Sequence, residues 1–127
     1  MENVHACKKT IKVEENDTAI SHGSGTLPVF ATPAMIELME NAAMKASIPY
    51  IGDDETTVGT LVNVKHLSAT PIGGTVTCEA ELVDIDGRKL VFRVTAKDDK
   101  GVIGEGTHER FIVKSETFLA KALDKLN

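Results

Sequence analysis

Two periods of hydrophobicity divide the chain. Residues 27–50, LPVFATPAMIELMENAAMKASIPY, place Met35, Leu38, Ala42 and Ala46 on one helical face and Glu37, Asn41 and Lys45 on the opposite ridge. That spacing predicts an apolar helix of about four turns. Thr32 is a permitted N-cap, and Pro33 suits the first helical position, where its missing N–H costs nothing. Pro49 and Gly52 end the segment. From residue 57 onward the period shortens to two. TVGTLVNVKH puts Val58, Thr60, Val62, Val64 and His66 on one strand face by alternation. TVTCEAELVDI sets Val76, Cys78, Ala80 and Leu82 against Thr77, Glu79 and Glu81, and RKLVFRVTAKD turns Leu90, Phe92, Val94 and Ala96 inward. VIGEGTHERFIV reads as a last strand. Thr70-Pro71 and Gly73-Gly74 break the chain, Asp86-Gly87 signals a hairpin, and Asp99-Lys100-Gly101 makes a further turn.

The flanks are less regular. Residues 4–13 form a weak strand candidate, with Cys7, Ile11 and Val13 in one parity interrupted by lysines. Residues 14–27, rich in Asp, Ser, Gly and Thr, read as a loop or covering segment. Phe118, Leu119, Ala122, Leu123 and Leu126 give a short amphipathic helix at the end. The expected architecture is α+β in two layers, with a helix too apolar for a large wet surface wrapped by about five antiparallel strands. We read residues 1–127 as a single domain.

Composition narrows the function. With 127 residues, 42% hydrophobic and 26% charged, the chain is long and apolar enough for a genuine core. No apolar run approaches the roughly 20 residues that span a bilayer, and MENVHACKKT lacks a signal-peptide core. A cytoplasmic protein without a membrane partner is expected. The formal charge is −5 and the 14 basic residues are dispersed, unlike the basic stripe of a nucleic-acid binder. Cys7 and Cys78 stand far apart without further ligands nearby, so neither a zinc site nor a disulfide framework is expected.

Candidate chemistry begins at Glu40. It falls about 90° from the polar ridge, in an i, i+4 row with Ile36 and Met44. A carboxylate on that shoulder is partly desolvated, a condition under which carboxyls serve as acids or bases; the plain alternative is a boundary glutamate paired with a lysine. His66 closes a strand on the parity of Val62 and Val64, pointing to the helix side; alone, such a histidine is more often structural. His108 and Arg110 share a strand face and read locally as an exposed polar pair. His5 and His22 lie in poorly patterned segments.

Taken together, Thr32, Glu40, Gly59, His66 and Arg110, with the stretches VFAT, GT before the strand, H…ATP…G.TVT, DG and GTHER, resemble the fluoroacetyl-CoA thioesterase-like family of hotdog enzymes. The resemblance runs from about Leu27 to the C-terminal helix and rests on the joint spacing rather than on any one motif. It implies a hotdog fold, a curved antiparallel sheet around one central helix. It also implies hydrolysis of an acyl-CoA with Thr32, Glu40 and His66 as the catalytic set, and with Gly59, Arg110 and Phe30 on the substrate side. No metal or redox cofactor is implied, since coenzyme A is part of the substrate. A homodimer is implied, with higher assembly left open. The segment SHGSGTLP has no aromatic residue before Phe30, unlike the lid of the fluoroacetyl-specific member.

Elementary geometry adds a constraint. Eight helical residues separate Thr32 from Glu40 by about 12 Å along the axis, too far for contact. Either the substrate lies between them or one of them works with a second protomer. The nucleophile stays open at this point among Glu40, Thr32 and water. Two other functions remain: a non-catalytic acyl-CoA-binding module, which would tolerate loss of Glu40 and His66, and a hotdog acyl-thioester dehydratase, whose histidine–aspartate pattern the chain lacks.

Overall fold

The structure, a computed structural model, describes residues 5–127. Five strands, β1 (Ala6–Lys12), β2 (Glu55–His66), β3 (Thr75–Asp86), β4 (Lys89–Asp98) and β5 (Gly101–Lys114), form one antiparallel sheet in the order β1-β3-β4-β5-β2. The start of the expected first strand, at residue 4, lies outside the described residues. The sheet packs around helix α2 (Thr32–Ser47), the hotdog arrangement.

The alternation of β3 and β4 is realised as expected. Val76, Cys78, Ala80, Leu82, Leu90, Phe92, Val94 and Ala96 are all buried against the helix. The helix answers with Ala34, Met35, Leu38, Met39, Ala42, Ala43 and Ala46. Four of those seven are alanines, so the helix axis comes close to the sheet. Gly104 on β5 allows the same approach, because a Cβ there would stand 2.5 Å from Met35 Sδ. The Asp86-Gly87 turn uses Gly87 at φ 62°, a left-handed conformation that costs glycine no steric penalty.

Two expectations need correction. Thr32 is not the N-cap. Ala31 holds that position without a side-chain cap, and Pro33 is the second helical residue, still within the turn whose N–H groups have no helical acceptor. The Thr32 hydroxyl is thereby free for another partner. The second correction concerns β2. Its pairing with β5 slips between Gly59 and Leu61, leaving Thr60 as a bulge. An extra residue reverses the parity of everything before it. Val62, Val64 and His66 lie opposite His108, Gly106 and Gly104 and share their inner face, whereas Thr57 and Gly59, not Val58 and Thr60, face inward opposite Ile112 and Arg110.

The covering segment is more ordered than a loop. Thr18 caps a single-turn helix, α1 (Ala19–His22), by accepting from the Ser21 N–H, and Gly23 closes it in the left-handed region. Backbone bonds from Ala19 N to Val29 O and from Ala31 N to Asp17 O tie this segment to the start of α2. The C-terminal helix α3 (Ser115–Leu123) forms but buries none of its residues, and Phe118, Leu119 and Leu123 are exposed. No helix among the described residues is long and apolar enough to cross a membrane.

Candidate active site

The start of α2 and the end of β2 meet where the covering segment crosses them. There Thr32 Oγ1 lies 2.7 Å from His66 Nδ1, a hydrogen bond between residues 34 positions apart. Phe30, 1% exposed, presents its ring edge-on to the imidazole at 6.4 Å between centroids. Phe30 therefore backs His66 and holds its ring plane. The pair sits in a cleft of about 340 Å³, walled also by Ala19, Ser24, Leu67, Ser68 and Ala69. That is the lower end of the range for small-molecule sites.

Burial pushes the His66 imidazole below the ordinary histidine value of 6.5, with the Ser68 backbone opposing in part. The ring is therefore neutral at pH 7. Its Nε2 is buried and has no hydrogen-bond partner of normal geometry among the described residues. A neutral imidazole beside a hydroxyl is the geometry of a nucleophile and its base.

Glu40 is elsewhere. It is half-buried on α2, and its carboxylate lies over Gly59: a Cβ at Gly59 would stand 2.8 Å from Glu40 Oε2, 3.3 Å from His108 Cε1 and 3.5 Å from Arg110 Nη1. The absence of a side chain at Gly59 is what makes room for this cluster. Arg110 is 6% exposed and bonded through each of its three nitrogens: Nε donates to Thr57 Oγ1 at 2.8 Å, Nη2 to the Thr57 carbonyl at 2.9 Å, and Nη1 to His108 Nε2 at 3.2 Å. Among the described residues Glu40 does not close an ion pair with it but acts on its charge through space. The structure thus brings together Thr32, His66 and Phe30 in one group, and Glu40, Gly59 and Arg110 in another.

His108 and Arg110 are not the exposed pair that local reading suggested. They are 1% and 6% exposed, on the same β5 parity as Gly104 and Gly106. Two glycines on that parity carried the missed signal, since they mark a strand face approached closely by another element.

The sequence and the fold have known counterparts. The sequence model of the fluoroacetyl-CoA-specific thioesterase family, FlK, matches residues 13–116. The chain belongs to this family. Within it, the fluoroacetyl-CoA thioesterase of Streptantibioticus cattleyicolor is 47% identical over 97 residues, which cover 76% of this chain and 70% of that protein. The solved fluoroacetyl-CoA thioesterase FlK superposes with a TM-score of 0.89 at 37% identity, over 98% of this chain and 97% of that one. A phenylalanine-to-alanine mutant of FlK in complex with fluoroacetate and CoA superposes at 0.88 with 38% identity, over 94% and 98% of the two chains. A thioesterase superfamily member from Thermus thermophilus, TTHA0967, superposes at 0.86 with 25% identity, over 95% and 92%. The FlK family is one of thioester hydrolases, and its match takes in both groups of residues, from Phe30 to Arg110.

Proposed function

We propose that this chain is an acyl-CoA thioesterase that hydrolyses a short acyl-CoA to the free acid and CoA, at a site completed by a second protomer. The observation that carries the reading is the Thr32–His66 hydrogen bond beside a cleft, in a member of a thioesterase family. Neutral His66 takes the Thr32 proton as Oγ1 attacks the thioester carbon, then returns it to the departing CoA sulfur. The resulting acyl-threonine is cleaved by water. Glu40 of the other protomer removes a proton from that water as it attacks the ester carbon and hands it to the departing Thr32 Oγ1, which restores both residues, and Arg110 beside Glu40 balances the charge on the carboxylate. The walls at Ala19, Ser24 and Ala69 are small and leave space for a short acyl group. The proposed steps call on no metal or redox group.

The second protomer is proposed because Glu40 does not reach the Thr32–His66 pair within one chain and because β2 is an edge. Its outer side carries a row of unpaired backbone groups over a strand of 12 residues. Met44, Leu61 and Val62, each about 40% exposed, lie on or beside it, Met44 one turn from Glu40. A long edge with apolar neighbours is a template for strand pairing. Two β2 strands paired across a two-fold axis would bring the helix of each protomer towards the cleft of the other.

Free-thiol release from a panel of short- and medium-chain acyl-CoAs tests this reading. Turnover of the short substrates is expected, with kcat lowered about 10²- to 10³-fold in His66→Ala. Because His66 works as the neutral base and burial holds its pKa below 6.5, kcat/KM should be level near pH 7 and fall only as acidification passes through that lowered value. A wild-type protein that binds acyl-CoA without releasing thiol would replace the hydrolase with a binding module.

A further inference from the structure

We propose that His108 is a positioning residue: a neutral imidazole that fixes the Arg110 guanidinium in the plane where it faces Glu40 across Gly59. Its role in turnover rests on the thioesterase reading above, whereas its role in holding Arg110 does not.

The proton on this ring is assigned by its neighbours. His108 Nδ1 lies 2.8 Å from the Leu61 carbonyl, which can only accept, so Nδ1 carries hydrogen. Nε2 lies 3.2 Å from Arg110 Nη1, which can only donate, so Nε2 is bare. Only the neutral Nδ1-protonated tautomer satisfies both contacts at once. The Leu61 carbonyl is in reach because the Thr60 bulge ends at that residue. Phe92 of β4 supports the ring from the side, with centroids 6.3 Å apart, and the imidazole is 1% exposed. The bulge therefore has a second consequence besides reversing parity. It supplies the acceptor that sets the tautomer, and the tautomer supplies the acceptor that orients Arg110.

The alternative protonation state breaks the chain of contacts. An imidazolium at His108 has no lone pair for Arg110 Nη1 and would set two cations against each other in a buried site. The groups facing His108 are Glu40 from α2, Arg110 from β5 and the Leu61 carbonyl from β2, while Glu109, its neighbour on β5, acts on it through charge alone. Burial and Arg110 disfavour the charged ring, and burial outweighs the opposing pull of the Leu61 carbonyl, Glu40 and Glu109. Since its pKa lies below 6.5, acidification through that lower value is what would release Arg110.

Two variants and two readouts test the assignment. His108→Phe keeps a ring against Phe92 but offers no acceptor, whereas His108→Gln carries an amide oxygen able to accept from Arg110. In the wild type at pH 7, ¹⁵N resonances of the Arg110 guanidinium should show slow rotation and protection from exchange. In His108→Phe they should average and exchange rapidly, and in His108→Gln they should be largely restored. Acyl-CoA turnover should follow, with kcat down about 10- to 100-fold in His108→Phe, KM changed less than about threefold, and most of the loss recovered in His108→Gln. Unchanged Arg110 resonances in folded His108→Phe overturn the proposal, as does equal damage in both variants. If the wild type cleaves no thioester, the thioesterase reading falls and the Arg110 resonances alone decide the role of His108.

Discussion

Replacing Glu40 by glutamine is expected to leave a folded protein that releases about one equivalent of CoA per site and then turns over roughly a thousandfold more slowly than wild type. The substitution keeps the shape of the side chain over Gly59 and removes only its charge and its basicity. Attack by Thr32 needs His66, which the variant retains, so acylation proceeds and the first CoA departs. Hydrolysis of the acyl-threonine needs a base for water, and glutamine is not one. Rapid-quench measurement of thiol release gives the size of the first turnover. A stoichiometric burst supports the division of labour between Thr32 and Glu40. A variant with no burst and no turnover would move the first chemical step onto Glu40 itself, and a variant as active as wild type would remove Glu40 from the reaction.

Gly106→Ala is expected to cost about 3 kcal/mol or more of folding stability, a large share of the total for a domain of this size. The reason is steric rather than conformational. A Cβ at Gly106 would stand 2.1 Å from the Asn63 carbonyl oxygen and 2.6 Å from Val64 Cα, both backbone atoms of the paired strand β2. No rotamer change relieves a clash with backbone, so the strands must part where Val64 pairs with Gly106. Two residues further along β2 is His66. Strand separation should therefore loosen His66 from Thr32 as well as lower the denaturant midpoint. An unchanged midpoint in a urea titration would show that β2 is not held to β5 as closely as described.

Much of this fold was legible in the sequence because its regular parts are locally specified. The apolar stripe from Met35 to Ala46 and the alternation over Val76–Leu82 of β3 and Leu90–Ala96 of β4 each follow from one period repeated without interruption. The separation of Thr32 from Glu40 was also legible, since it needs only the rise per residue of a helix. What was not legible depended on single insertions and distant partners. The Thr60 bulge adds one residue to a strand without a compositional mark, so alternation misassigned Val58 and Thr60 and hid the inward position of Gly59. Thr32 resembles a cap because a hydroxyl at a helix start usually is one; Ala31 holds that position instead, and the partner of the Thr32 hydroxyl is His66, 34 residues away. Charged residues such as Arg110 are buried only when paired. Thr57, His108 and Glu40, which engage that guanidinium, come from three different elements.

A catalytic site that takes Thr32 and His66 from one protomer and Glu40 from the other can be tested by complementation. Co-expression of Glu40→Gln and His66→Ala chains under two affinity tags, with sequential purification, isolates the mixed dimer. Each parent homodimer should be nearly inactive. In the mixed dimer a shared site leaves one of two sites free of both lesions, so about half of the wild-type kcat per dimer is expected. A site contained within one protomer would carry a lesion in every copy, and a mixed dimer no more active than its parents would contradict the shared site.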